Sequence, residues 1–271
     1  MRRIINRHPS GGSRIALGLL PFILLIAFYL FGSSLRLADN PNDKLLPSLQ
    51  TLGTAVHQLA LEEDQRSGDV LLWLDTAASL QRLSIALGIS AAIGLLLGIA
   101  LGVIPYVRAT LASLVAAVSM IPPLAILPIL FIVAGLGETA KVSLIVIGVA
   151  PCIARDIALR VGELPIEQLI KAQTLGASTW QLILRVVLPQ MWPRLIDAVR
   201  LTLGSAWLFL IAAEAIASTE GLGYRIFLVR RYLAMDIILP YVFWITLLAF
   251  STDWLLRQLR AKLFPWTEQN R

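Results

Sequence analysis

TAASLQRLSIALGISAAIGLLLGIALGVI, residues 76–104, reads as a single apolar helix that Pro105 brings to an end. A helix needs about 20 apolar residues to cross a bilayer core of about 30 Å, and this run supplies them. Gly94, Gly98 and Gly102 recur every fourth residue, so they share one face. Small faces let helices pack closely in lipid. The expected use is packing within one subunit, and the alternative is a place in a dimer seam.

The same pattern extends outward in both directions. Of 271 residues, 57% are hydrophobic and 15% charged, and the mean hydropathy is +0.77. A soluble domain carries about 25% charged residues, so the composition belongs to a polytopic membrane protein. Apolar helices are expected over 15–31, 76–104, 107–134, 139–159, 192–217 and 236–259, about six spans in an all-α membrane protein. The third is expected to break at Pro122-Pro123 and again at Pro128. Arg2, Arg3, Arg7 and Arg14 precede the first run. A signal peptide begins this way too, but without a small-residue cleavage site the run reads as a first helix with a cytoplasmic start. Residues 36–75 hold Asp39, Asp43, Glu62, Glu63, Asp64, Asp69 and Asp75 and few bases, with turn chemistry at Asn40-Pro41-Asn42-Asp43 and a short amphipathic helix at Leu49–Leu61. That acidic loop is placed outside. Most Lys and Arg then fall on inside segments, as cytoplasmic flanks do, although Arg225, Arg230 and Arg231 fall outside. The net charge of +6 is therefore a membrane signature, and no basic stripe with exposed aromatics points to nucleic acid.

The stretch most specific to function is 160–191. It runs EQLIKAQTLG (167–176), ASTW (177–180), QLILRVV (181–187), then Leu188-Pro189. Two short helices joined by a tight bend are expected. The first starts after Pro165 and ends at Gly176, which can take the left-handed conformation of a C-terminal cap. Ser178 or Thr179 caps the second, and Pro189 and Pro193 end or bend it before the next span. Such a knob suits pushing on a partner; the alternative is an amphipathic connector lying on the membrane.

This stretch resembles the E-A-A-x3-G-x9-I-x-L-P motif of ABC importer permeases. Ile170 and Lys171 stand where Glu and the first Ala are usual, so the motif's carboxylate is replaced and a cation added. Ala172, Gly176, Leu188 and Pro189 match, and Val186 takes the Ile position. SMIPPLA (119–125), FIVAGLG (131–137) and EGLGY (220–224) extend the likeness to permeases of nitrate, sulfonate and taurine importers over about 75–265, nearest to those that accompany urea or guanidine carboxylases. The resemblance implies a type I importer permease fold. Its parts are a cytoplasmic segment 1–14, a first helix 15–35, a periplasmic loop 36–75, a five-helix core 76–265 with a coupling elbow 165–189, and a cytoplasmic tail 266–271. It also implies a bacterial inner-membrane location, a second permease copy, two ATPase subunits and a periplasmic solute-binding protein. Gln168, Lys171, Ala172, Leu175, Gly176, Ala177 and Ser178 would carry the coupling contact. No Gly-x4-Gly-Lys-Ser/Thr phosphate loop occurs, so ATP and Mg are expected on the partner ATPase and no cofactor or catalysis in this chain.

Irregular backbone in a membrane must be buried or line a watery cavity. Ser119, Met120 and Pro122 are therefore placed near the path, with a simple packing kink as the alternative. Glu214 near the outer end of the fifth helix must face protein or water, either lining the path or pairing with Arg225, Arg230 or Arg231. Asp253 is expected to pair with Arg257 one turn on. Cys152 reads as buried filler, and His8 and His57 form no metal set. An ion-coupled secondary transporter would need corresponding broken helices in two halves. A membrane enzyme would need clustered His or carboxylates, and a scaffold would need neither.

Overall fold

The computed structural model describes residues 10–40, 43–64 and 68–267, and among these the chain is helical without strands. Five helical segments are long and apolar enough to cross a membrane: α1 (Gly11–Asp39), α3 (Leu71–Val103), α6 (Glu138–Gly162), the continuous Thr179–Ala217 segment, and α11 (Met235–Leu263). A sixth span is the bent pair of α4 (Pro105–Val118) and α5 (Pro123–Ala134), whose axes meet at 93°. The short α2 (Leu49–Leu61) lies between α1 and α3. Residues 1–9, on which the N-terminal arginines and His8 were read, and Pro41 and Asn42 of the expected turn lie outside the described residues, as do 268–271 of the tail.

The core is the contact of α3 with α6, and its glycines explain it. A Cβ on Gly94 would meet the side chain of Ile153. One on Gly98 would meet Ile157 and the Ala154 carbonyl, and one on Gly102 would meet Val161. The four-residue period of one helix thus meets Ile153, Ile157 and Val161 at the same period on the other, which settles the stripe as packing within the subunit. Ile153 and Ile157 are fully buried. α9 (Leu188–Ala217) closes the other side with Met191, Leu203, Ala206 and Leu210.

The periphery is different. α1 buries none of its apolar window and, among the described residues, is tied down toward its end, by Tyr29 Oη donating to the Pro47 carbonyl at 2.7 Å, Ser33 Oγ to the Leu46 carbonyl at 3.0 Å, and Arg36 pairing with Asp43. A surface of this kind is stable in lipid, where it costs nothing to leave it uncovered. α11 buries Tyr241 alone and is held to α9 by Arg200, whose Nε and Nη2 donate to Asp253 at 2.8 and 3.0 Å. The expected Asp253–Arg257 pairing is thus supplemented: the charge of Arg257 acts on Asp253, while the hydrogen bonds come from the forked guanidinium of Arg200 across the interface.

Three proline readings change. Pro128 lies inside α5 without ending it, losing only the bond to the carbonyl one turn back. Pro189 and Pro193 both lie within α9. A widened turn at Ile183–Val187, where Leu188 N–H bonds the Ile183 carbonyl, precedes them. That extra residue lets α8 (Thr179–Leu182) run on into α9, so the second short helix is the beginning of the fifth span. Cys152 is exposed rather than buried, because α6 turns Val149, Ile153 and Ile157 inward and leaves Cys152 on its other side.

Candidate coupling elbow, helix break and ion cluster

The elbow is built by local chemistry. Pro165 caps α7 (Ile166–Thr174), and Leu175 closes it. Gly176 then takes φ +80°. Its N–H bonds the Gln173 carbonyl at 2.9 Å, and the Ala177 N–H bonds the Ala172 carbonyl at 3.0 Å, the paired bonds of a glycine-terminated helix. Ser178 opens α8 with reciprocal bonds: Gln181 N–H donates to Ser178 Oγ, and Ser178 N–H to Gln181 Oε1. Both arms of the bend are thus satisfied without outside help. Gln168 accepts from Gln190 Nε2 at 3.2 Å, tying α7 to the start of α9. Lys171, Leu175, Gly176 and Ser178 are exposed, and Ala172 and Ala177 are half-buried. Leu175 is 79% exposed and Trp180 67%, so the bend offers apolar side chains outward on an element whose own core is elsewhere.

Ser119, Met120 and Pro122 sit at the helix break. Ser119 closes α4, Pro122 caps α5, and Met120 is exposed between them. Pro123 packs beside Gly148 of α6 together with Phe209. Arg155 of α6, which the sequence reading did not single out, donates from Nη1 to Ser119 Oγ at 2.7 Å.

Glu214 does not line open space. It is fully buried and accepts from Ser79 Oγ (2.8 and 2.9 Å), Arg82 Nη1 (2.8 Å) and the Gly223 N–H (2.9 Å). Its cation is Arg82 of α3, not Arg225, Arg230 or Arg231. Arg225 is taken by Asp75, also fully buried, with Tyr241 Oη donating to the same carboxylate at 2.9 Å. Asp75, counted in the acidic loop, therefore belongs to α3. Arg82 also reaches Glu138, itself bonded by Lys141 at 2.8 Å, and the Glu220 carbonyl at 3.0 Å. The EGLGY segment has its own role here. Gly221, Leu222 and Gly223 point successive N–H groups at Asp75, Ser79 and Glu214, each at 2.9 Å. This cluster locks α3, α6, α9 and α10 (Leu222–Val229) at one end of the bundle. Glu214 was visible as a charge near a helix end; a buried carboxylate requires a partner, and that requirement was the signal for a cation such as Arg82 on a neighbouring helix. Among the described residues no cluster of His, Cys, Asp or Glu is arranged to hold a metal ion.

Comparison with known proteins accords with this geometry. The model of a family described as the binding-protein-dependent transport system inner membrane component matches residues 85–265. The taurine transport system permease protein of Escherichia coli (strain K12) is 37% identical over 73% of this chain and 72% of its own length. The nitrate import permease protein of Synechococcus elongatus is 30% identical over 57% of this chain and 56% of its own. In structure the chain resembles the MetNI methionine ABC transporter in an inward-facing conformation, with a TM-score of 0.56 and 22% identity over 69% of this chain and 96% of that one.

Proposed function

The chain belongs to the family of binding-protein-dependent transport system inner membrane components, and from that premise we propose the division of labour in which this permease subunit works. Two copies pair around a central path. Two ATPase subunits, which hold ATP and Mg, seat on the elbows at the cytoplasmic face of the bacterial inner membrane. A solute-binding protein delivers a small polar solute from the opposite side: a sulfonate, taurine or nitrate, or else a urea- or guanidine-like molecule. Both termini lie in the cytoplasm, and this chain performs no catalysis itself.

The observation that carries this reading is the continuity of the elbow with a span. Thr179–Ala217 is one 39-residue helical segment, beginning at the bend. A displacement of α7 and α8 by an ATPase therefore reaches the middle of the bundle along a single rod. The exposed Leu175 and Trp180 are the apolar anchors such a contact needs. Lys171, exposed on α7, places a cation where the usual motif has an alanine.

Gly176 tests the reading. A Cβ there would meet no heavy atom within 4 Å, so conformation, not crowding, demands glycine. A non-glycine residue pays about 1–2 kcal/mol to stay left-handed, about tenfold in the population of the bent form. Gly176→Leu is expected to cut solute moved per ATP hydrolysed by about that factor, and Gly176→Ala nearly as much, while Gly176→Asn retains more. The measurement is ATP-driven uptake set against phosphate release in proteoliposomes. A fully coupled Gly176→Leu complex counts against the elbow as the transmission point.

A further inference from the structure

Arg155 is a charge in an unusual place. α6 has 25 residues, about 37 Å of helix against a core of about 30 Å. Arg155 lies about 10 Å from its end at Gly162, inside the depth of the hydrocarbon. Its residue is exposed, and among the described residues its one hydrogen bond is to the Ser119 hydroxyl, with no carboxylate in reach. Insertion scales put an arginine at the centre of a spanning helix at about 2.5–3.5 kcal/mol unfavourable. The usual relief is to snorkel toward the nearer interface, here the Gly162 end. Arg155 does the reverse. Ser119 closes α4 at the end away from Pro105, and Pro123, just across the break, sits beside Gly148 of α6, farther from Gly162 than Arg155 is. The guanidinium thus reaches along α6 toward the broken helix. A cation held that way faces water or a polar visitor.

The surroundings reinforce the sign of the charge. A cleft between α4 and α6 is lined by Arg108, Ala112, Val115, Arg155, Ala158 and Leu159 and runs down to Glu163. Glu163 is its one carboxylate and is bonded by Arg160 at 3.2 Å. Arg108 is fixed by donating to the Leu101 and Gly102 carbonyls at 2.9 and 3.0 Å. Arg160 is shared between Asp156 and Glu163, so Arg108, Arg155 and Arg160 face two carboxylates from the helix break to the end of α6, and the balance along the route is positive.

We infer that Arg155, presented by the Ser119 hydroxyl, is a specificity-determining step of the path that takes the oxyanion group of the cargo, which is an anion such as a sulfonate or nitrate and not a neutral urea or a guanidinium. This rests on the importer reading above. A planar guanidinium offers paired donors to such oxygens, and the same charge repels a cation.

The chain carries its own reporter. Cys152, its single cysteine, is exposed about one turn before Arg155. In the assembled permease–ATPase complex in membranes, Cys152 is to be modified with anionic sulfonatoethyl and cationic trimethylammonioethyl methanethiosulfonates. Both are expected to react, the anionic one preferred, and the preference to fall about tenfold or more in Arg155→Gln while Arg155→Lys keeps it. In ATP-driven uptake with the binding protein, ethanesulfonate or nitrate is expected to be carried ahead of urea. Arg155→Gln is expected to raise KM about tenfold at unchanged expression. A Cys152 that reacts with neither reagent, a preference untouched by Arg155→Gln, or urea carried ahead of both anions overturns the inference and leaves the importer reading standing. A complex that moves no solute with ATPase and binding protein present overturns the importer reading, and the labelling still reports on Arg155.

Discussion

Arg82→Leu is expected to destabilise the folded subunit strongly. Arg82 is 5% exposed and Glu214 fully buried, and the pair is joined at 2.8 Å. Removing the cation leaves an ionised carboxylate in the bundle, which costs about 3–5 kcal/mol. The loss does not stop there, because Glu138 and the Glu220 carbonyl give up the same guanidinium. Glu214→Gln is expected to be milder, about 1–3 kcal/mol. It removes a charge, but its amide sets a donor against Gly223 N–H, Ser79 Oγ or Arg82, where the carboxylate only accepted. In the Arg82→Leu background, Glu214→Gln should recover part of the stability, since no unpaired charge remains. Thermal unfolding of the two single variants and the double variant in nanodiscs measures this non-additivity. If Arg82→Leu melts with the parent, the cluster is ornamental to the fold and the lock at this end of the bundle is wrong.

The second large effect is at Gly98. A Cβ there would lie 2.8 Å from the Ala154 carbonyl, and backbone cannot step aside as a side chain can. Gly98→Leu must push α3 off α6 along the central contact of the bundle. The expected cost is about 3 kcal/mol or more, the upper end for overpacking, seen as loss of monodisperse protein after extraction. Gly88 of the same helix is the control, because nothing lies within 4 Å of a Cβ placed on it. Gly88→Ala should be neutral or slightly stabilising, as an alanine in a helix interior is. Equal tolerance at 88 and 98 would remove the glycine face as the organising contact.

These two sites show what the sequence can and cannot carry. The glycine stripe was legible because period alone places Gly94, Gly98 and Gly102 on one face. The elbow was legible because Pro165, Gly176 and Ser178 each impose a conformation on their own neighbours. The ion pairs were not. Asp75 finds Arg225, Arg82 finds Glu214 and Arg200 finds Asp253, partners far apart in the chain. Periodicity tells which side of a helix a residue occupies, but not which helix stands opposite. That is why sequence proximity offers Glu214 either the path or Arg225, Arg230 and Arg231, and offers Asp253 only Arg257. The prolines misled for a related reason. Pro128 and Pro193 each remove one backbone bond, and whether a helix survives that loss depends on neighbours the local sequence does not name. Arg155 was visible as a cation inside an apolar run, and the cost of such a charge in lipid was the unused clue.

Leu175 is the most direct place to ask whether the elbow meets a motor. It is the most exposed of the elbow's large apolar side chains and stands one residue before the Gly176 hinge. In a Cys152→Ser background, Leu175→Cys should cross-link to the co-purified nucleotide-hydrolysing subunit through a short thiol-reactive linker, with a yield that changes when ATP is added. No cross-link to such a subunit, or modification of this cysteine by a membrane-impermeant reagent from outside intact cells, would contradict it.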